Sequence, residues 1–237
     1  MRRAATGGRL FPPPRFFPDA RLNFAENIFH SRSPDKLALI GAREGGTDLE
    51  QVTYSELQAA VQRVAGAMRN LGICKGDRVA AIISNSIASF VICLATMSIG
   101  AIFSSSATGN SPSDGAEVDM GANGINDRLL QIRPKLIFAD NGALYNGKIV
   151  SQIDKLRAIV KTLDADDLLH LIIIPRLPSQ PQLLAGFSKS ITWDHFLSKS
   201  TNHALQFEQV EFNHPAIIVY SSGTTGKPKC IMHSHGV

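Results

Sequence analysis

"RVAAIISNSIASFVICLATMSIGAIF", Arg78 to Phe103, changes character twice and so carries most of the information about the fold. Arg78 to Ser84 is a continuous apolar run of strand length, Ile87 to Ser98 reads as a helix, and Ala101 to Phe103 begins a second strand. A strand that is apolar without alternation is buried on both faces, which is the habit of parallel sheets covered by helices. A membrane span over Ile87 to Phe103 is opposed by a length just short of a bilayer and by Ser89, Thr96, Ser98 and Gly100 within it. The stretch therefore reads as a buried helix running into a strand, and no membrane partner is expected.

The same alternation continues in both directions. Upstream, Val52 to Tyr54 reads as a short strand, and Ser55 with Gln58 has the form of a capping box. Leu57, Val61, Val64, Met68 and Leu71 then recur on one helical face until Gly72 ends the helix. Downstream, a helix near Ile125 to Ile132 is broken by Pro134, "KLIFA" is a strand, Lys148 to Leu163 is an amphipathic helix, and "HLIIIP" is a strand. "PRLPSQP", Pro175 to Pro181, marks a surface loop with "ITWDHFLS" as a short helix beneath it. "AIIVY", Ala216 to Tyr220, is the last strand expected. The fold class is α/β: a layered, mostly parallel sheet with helices on both faces.

Composition permits this and excludes other classes. With 237 residues and 44% hydrophobic content, the chain can bury a sizeable core. Its net charge of +4 comes from 24 basic and 20 acidic residues dispersed along the chain, which argues against a nucleic-acid partner. Cys74, Cys93 and Cys230 lack metal-ligand spacing and read as free thiols of a reducing compartment, each a small core or loop residue, so a cytoplasmic location is expected. The basic start "MRRAATGGRLFPPPRFF" admits a mitochondrial presequence, but its prolines oppose an amphipathic helix. Residues 1–30 are read as an N-terminal docking arm and 31–237 as part of one larger domain.

The chemistry concentrates in "YSSGTTGKPKCIMHSH", Tyr220 to His235, delivered to the carboxyl end of the last strand, where open α/β sheets hold ligands. Gly223 and Gly226 let backbone N–H groups converge on an anion. Ser221, Ser222, Thr224 and Thr225 add hydroxyl donors, and Lys227 and Lys229 add compact positive charge. Together they suit a polyphosphate. The common P-loop is excluded, because Ser221 stands where it needs its first glycine and Pro228 where it needs Ser or Thr. His233 and His235 lack acidic or thiol partners nearby, so they are read as a polar turn or the solvent face of a strand, and no metal site is assigned. Asp194 and His195 are adjacent on a short helix and do not face each other, so they make no catalytic dyad.

"YSSGTTGKPK" resembles the signature loop of the adenylate-forming (AMP-binding) superfamily. "FFPDARLNFAENIF", "SIGAIFSSS" and "HPAIIVYSSGTTGKPKCIMHS" are similar to its acetoacetyl-CoA synthetase branch, including Cys230, which is expected to be a small buried side chain. In the first of these, Phe16, Phe17, Leu22 and Phe24 read as apolar anchors of the arm. The segment 107–118, "ATGNSPSDGAEV", departs from that branch and is expected to be a solvent loop.

The resemblance implies an acid–thiol ligase. It would join acetoacetate to the α-phosphate of ATP, release diphosphate, and pass the acyl group to CoA, giving acetoacetyl-CoA and AMP. It places Ser221, Ser222, Gly223, Thr224, Thr225, Gly226, Lys227 and Lys229 on the phosphates. It implies Mg2+ as well, with the metal ligand, the adenine and ribose contacts, most of the acyl pocket and a catalytic lysine all downstream of Val237. No catalytic residue is therefore assigned, and the 237 residues alone are expected to be inactive. A non-catalytic nucleotide-binding or interaction module that keeps the loop is the alternative.

Overall fold

The computed structural model describes residues 5–6, 15–42, 49–106, 122–145, 147–163, 167–201, 203–221 and 228–236. Seven strands form the central sheet: β1 (Arg78–Ile82), β2 (Ile102–Ser106), β3 (Leu136–Asp140), β4 (His170–Ile174), β5 (Ser190–Thr192), β6 (Pro215–Ser221) and β7 (Lys229–Ser234). Six helices accompany them: α1 (Phe24–Phe29), α2 (Tyr54–Asn70), α3 (Ile87–Ser98), α4 (Ala122–Ile132), α5 (Ile153–Thr162) and α6 (Trp193–Ser198). The strand order is β5-β4-β3-β1-β2-β6-β7. Every neighbouring pair is parallel except β6 with β7.

The continuous apolar runs have a simple cause. Successive side chains of a strand point to opposite faces. Val79 and Ala81 of β1 lie in one core cluster, with Phe138 of β3 and Ile172 of β4, while Ala80 and Ile82 lie in a second, with Ile137 and Ile173. Helices α2, α3 and α6 cover the first cluster through residues such as Val64, Leu94 and Phe196. Helices α4 and α5 cover the second through Ile125, Leu129, Leu156 and Ile159. A strand covered on both faces must be apolar at every position, as Arg78 to Ser84 nearly is. Among the described residues no helix is long and apolar enough to cross a membrane, and Ile87 to Phe103 divides into α3 and the start of β2.

Several local expectations are corrected. The capping box of α2 is made by Thr53 and Glu56, not Ser55 and Gln58: Glu56 N donates to Thr53 Oγ1 at 3.3 Å and Thr53 N to Glu56 Oε2 at 2.8 Å. Tyr54 accordingly opens the helix, and the preceding strand is Glu50–Thr53, paired with Leu37–Gly41. The helix expected from Lys148 begins only at Ile153, because Lys148–Ser151 pairs back on Gly142–Tyr145 through a turn in which Gly147 has φ of +71°. The expected end of α2 holds: Leu71 caps it and Gly72 takes φ of +82°, a conformation that disfavours any side chain. "AIIVY" is not the last strand, since "KCIMHS" follows it as the antiparallel edge strand β7.

Of the expected apolar anchors of the N-terminal segment, Phe24 packs against the first core cluster and Leu22 is half-buried, and a polar residue, Asn23, adds a further hold. Phe16 and Phe17 are each 45% exposed, although the Phe17 ring lies 4.9 Å from that of Phe212. Asn23 is buried, and its Nδ2 donates to Met97 O and to Glu208 O, each at 2.9 Å. Its Oδ1 accepts from Ala25 N and caps α1. Arg21–Leu22 also pairs with Val210–Glu211.

Candidate functional site

β6 enters the sheet beside β2 and runs parallel to it, with Ile218 opposite Ser104. Ser104 Oγ, buried, donates to Ile218 O at 3.0 Å. The strand ends at Ser221, and β7 begins at Lys229, directly across from it. Of the eight residues expected on phosphate, the structure thus brings Ser221 and Lys229 together at the mouth of a hairpin, at the carboxyl end of the parallel strands. Ser222, Gly223, Thr224, Thr225, Gly226 and Lys227 lie outside the described residues, as does the segment 107–118. Lys229 is exposed and Ser221 half-buried.

Helix α4 touches both strands at the base of this loop, and sequence reasoning did not find these contacts. Tyr220 Oη donates to Arg128 O at 3.1 Å, and the Arg128 guanidinium lies 5.4 Å from the centre of the Tyr220 ring. Burial pushes the Tyr220 hydroxyl up to about 12, so it stays a donor at ordinary pH. Gln131 Nε2 donates to Pro228 O at 3.0 Å, and Gln131 Oε1 accepts from Cys230 Sγ at 3.3 Å. Cys230 is exposed rather than buried as expected, because it sits on the outer strand of the hairpin. Cys74 is also exposed and Cys93 is half-buried in α3, where burial pushes its thiol up to about 12. All three are free.

The two histidines differ. His233 is exposed on β7, as a strand's solvent face requires, whereas His235 is buried in the turn that follows. His235 Nδ1 accepts from Phe24 N at 3.1 Å and so ties α1 to the strand returning from the loop. Its ring lies 5.8 Å from that of His214, whose Nε2 is 2.9 Å from Gly100 O. Burial, reinforced by His214, pushes the imidazole of His235 down to about 4. The neighbouring Gly236 is required by packing: a Cβ there would stand 2.4 Å from the Phe212 ring.

The strand order reverses around β1, with β2 on one side and β3 on the other. At that point Asp140, buried at the end of β3, accepts from Ser84 N at 2.8 Å through Oδ2. Burial raises its carboxyl above the usual range, partly offset by the Ser84 donor. Among the described residues, no group of three or more His, Cys, Asp or Glu side chains converges to hold a metal. Asp194 and His195 serve the start of α6, where His195 N donates to Thr192 Oγ1.

The AMP-binding enzyme family matches residues 26–237. Acetoacetyl-CoA synthetase of Macaca fascicularis is 43% identical over 227 residues, covering 94% of this chain and 32% of the relative. Acetoacetyl-coenzyme A synthetase of Rhizobium meliloti is 40% identical over 223 residues, covering 94% and 32%. Malonamoyl-CoA synthetase of Penicillium aethiopicum is 37% identical over 238 residues, covering 94% and 31%. Among solved structures, acetoacetyl-CoA synthetase from Streptomyces lividans matches with a TM-score of 0.84 at 32% identity, covering 99% of this chain and 33% of that one. The chain spans about a third of the length of the curated relatives it matches.

Proposed function

The chain belongs to the AMP-binding enzyme family, and on that premise we propose that its 221–229 hairpin grips the polyphosphate of ATP in an acid–thiol ligase reaction, with acetoacetate as the acid and CoA as the thiol. The observation that carries this reading is the position of the motif. "SSGTTGKPK" lies between two paired strands at the carboxyl edge of a parallel sheet, with Ser221 and Lys229 opposed at its mouth.

In such a reaction a carboxylate oxygen attacks the α-phosphorus, the bond to the bridging oxygen breaks, and diphosphate leaves. The thiolate then attacks the acyl carbon and AMP departs. Negative charge builds on the β- and γ-phosphates during the first step, so fixed donors and cations around them stabilise the transition state more than the ground state. Lys227 and Lys229 supply the charge, and the hydroxyls of Ser221, Ser222, Thr224 and Thr225, with the amides at Gly223 and Gly226, supply the donors. Magnesium belongs to the proposed reaction as a counter-charge on the phosphates, but the described residues offer it no converging ligands and none is assigned.

Acetoacetate is favoured over other short acids because the acetoacetyl-CoA synthetases are the more similar relatives, while the malonamoyl-CoA synthetase marks how readily the acid changes within such a likeness. Free thiols support a reducing, cytoplasmic setting. The direct test is calorimetric titration of the chain with ATP, comparing Lys227→Ala and Lys229→Ala. Each substitution should weaken binding by about tenfold, on the order of one charge-assisted contact. Equal affinity in all three proteins would refute the assignment of the loop.

A further inference from the structure

The grip of α4 on the hairpin has a consequence for the loop it subtends. β7 is an edge strand of the central sheet: β6 is its partner there, and Ile231 and Met232 on it are exposed. An edge strand paired on one side frays readily. The start of β7 is also the point where a backbone bond is scarce, because Pro228 has no N–H and offers only its carbonyl. That carbonyl is the atom Gln131 takes.

The Gln131 amide is fixed in orientation. Its Nε2 donates to Asp127 O at 2.7 Å and to Pro228 O at 3.0 Å, while its Oε1 accepts from the Cys230 thiol. Flipping the amide would set its oxygen against two carbonyls and its nitrogen against the thiol, so one arrangement satisfies all partners. One turn earlier on the same helix, Arg128 accepts from the Tyr220 hydroxyl through its carbonyl, covers the Tyr220 ring with its guanidinium, and anchors that guanidinium on Gly124 O at 2.6 Å. Residues three apart share a helix face, so one patch of α4 holds both strands. Tyr220 lies at one end of the 222–227 segment and Pro228 at the other. Behind that patch, Ile125, Leu129 and Ile132 seat α4 in the core.

We propose that α4 sets the separation and pitch of the two ends of the phosphate loop, with Gln131 as a positioning residue that acts through Pro228 and Cys230. The inference deepens the assignment of the loop to polyphosphate and rests on that reading for its functional arm. Its structural arm is independent.

The experiment uses the intact chain and inorganic tripolyphosphate as probe. Gln131→Met keeps the length of the side chain and removes its hydrogen bonds. It should weaken tripolyphosphate binding by about three- to tenfold, and should speed deuterium uptake in peptides covering 228–231 and tryptic cleavage after Lys229, with uptake in β3 and β4 unchanged. Cys230→Ser, which keeps a donor for Gln131, should resemble the parent, whereas Cys230→Ala should lie between the parent and Gln131→Met. In the Gln131→Met background the Ser and Ala variants should be equal, the signature of a direct coupling. A purely structural loss of stability would not reproduce that pattern.

Unchanged uptake, cleavage and affinity in Gln131→Met would overturn the proposal, as would a Ser variant no better than Ala beside an intact Gln131. If Gln131→Met fails to fold, the Ser and Ala comparison decides alone. If the parent chain does not bind tripolyphosphate, the phosphate reading fails, and the exchange and cleavage results still decide whether α4 holds the loop ends.

Discussion

Acidification should loosen the molecule through His235. In the folded chain this imidazole is buried and neutral, with Nδ1 accepting from Phe24 N, and protonation would set a donor against a donor. Its folded value is pushed from 6.5 down to about 4, first by burial and then by His214. Between those values the unfolded chain binds the proton and the folded chain does not. The stability contributed is therefore fully present above about pH 6.5 and is lost progressively as the pH falls toward 4. Each pKa unit corresponds to about 1.4 kcal/mol, so lowering the pH from 7 to 4.5 should cost on the order of 2 kcal/mol from this group alone. Asp140 acts in the opposite sense: its raised value means the folded state takes up a proton before the unfolded one, which offsets part of the loss at the acid end. Glu56, held low by its bonds to Thr53, adds to the loss, so wild-type data alone mix these groups. His235→Asn separates them, since an asparagine oxygen can accept from Phe24 N without titrating. Urea unfolding of both proteins from pH 7 to 4.5 should show the parent losing roughly 2 kcal/mol more than the variant. Parallel profiles would refute the role given to His235.

Three further outcomes are expected. Phe138→Ala, at a fully buried ring that meets Trp193 and Phe196 edge-on, should cost about 3 to 5 kcal/mol in urea unfolding followed by Trp193 fluorescence. Asn23→Ala should cost roughly 1 to 3 kcal/mol, since it strips a helix cap and removes a buried side-chain donor from Met97 O, which keeps Gly100 N, and from Glu208 O; a change below about 0.5 kcal/mol in the same assay would contradict this. The 237-residue polypeptide alone, incubated with ATP, magnesium, acetoacetate and CoA, should release no acetoacetyl-CoA, because a phosphate grip does not by itself place a carboxylate against the α-phosphorus. Chromatographic detection of steady product would overturn that expectation.

The middle of the sheet was legible because β1, β3 and β4 are apolar at nearly every position, a pattern that double-sided burial imposes. Val79 to Ile82 and Leu136 to Ala139 are such cases. Helix starts were less legible where two cap patterns overlap: Thr53 with Glu56 and Ser55 with Gln58 have the same spacing, and the pairing of Glu50–Thr53 with Leu37–Gly41 selects the first. Lys148–Ser151 looked helical by the spacing of its apolar residues with those of α5, and Gly147 with the preceding strand made it a hairpin. Within the candidate site, the glycines, hydroxyls and lysines are the residue types on which the proposed phosphate loop rests. The hold of α4 was invisible, because Arg128 and Gln131 are polar residues on a helix surface whose partners lie 92 and 97 positions away. The burial of His235 was likewise hidden, since Phe24, which makes it an acceptor, stands 211 residues earlier.

The elements that lead into and out of the loop are both strands, β6 and β7, and antiparallel to one another. Many phosphate sites open directly onto a helix, whose aligned peptide dipoles supply a standing partial charge. Paired strands of opposite direction supply almost none, because their dipoles cancel. On the proposed reading, the attraction of this hairpin for a polyanion comes from the loop's own donors and from lysine charge, which dissolved ions screen over about 8 Å at physiological ionic strength. On that same reading, the flanking architecture leaves the proposed hold on a polyphosphate sensitive to the surrounding electrolyte as well as to the protein.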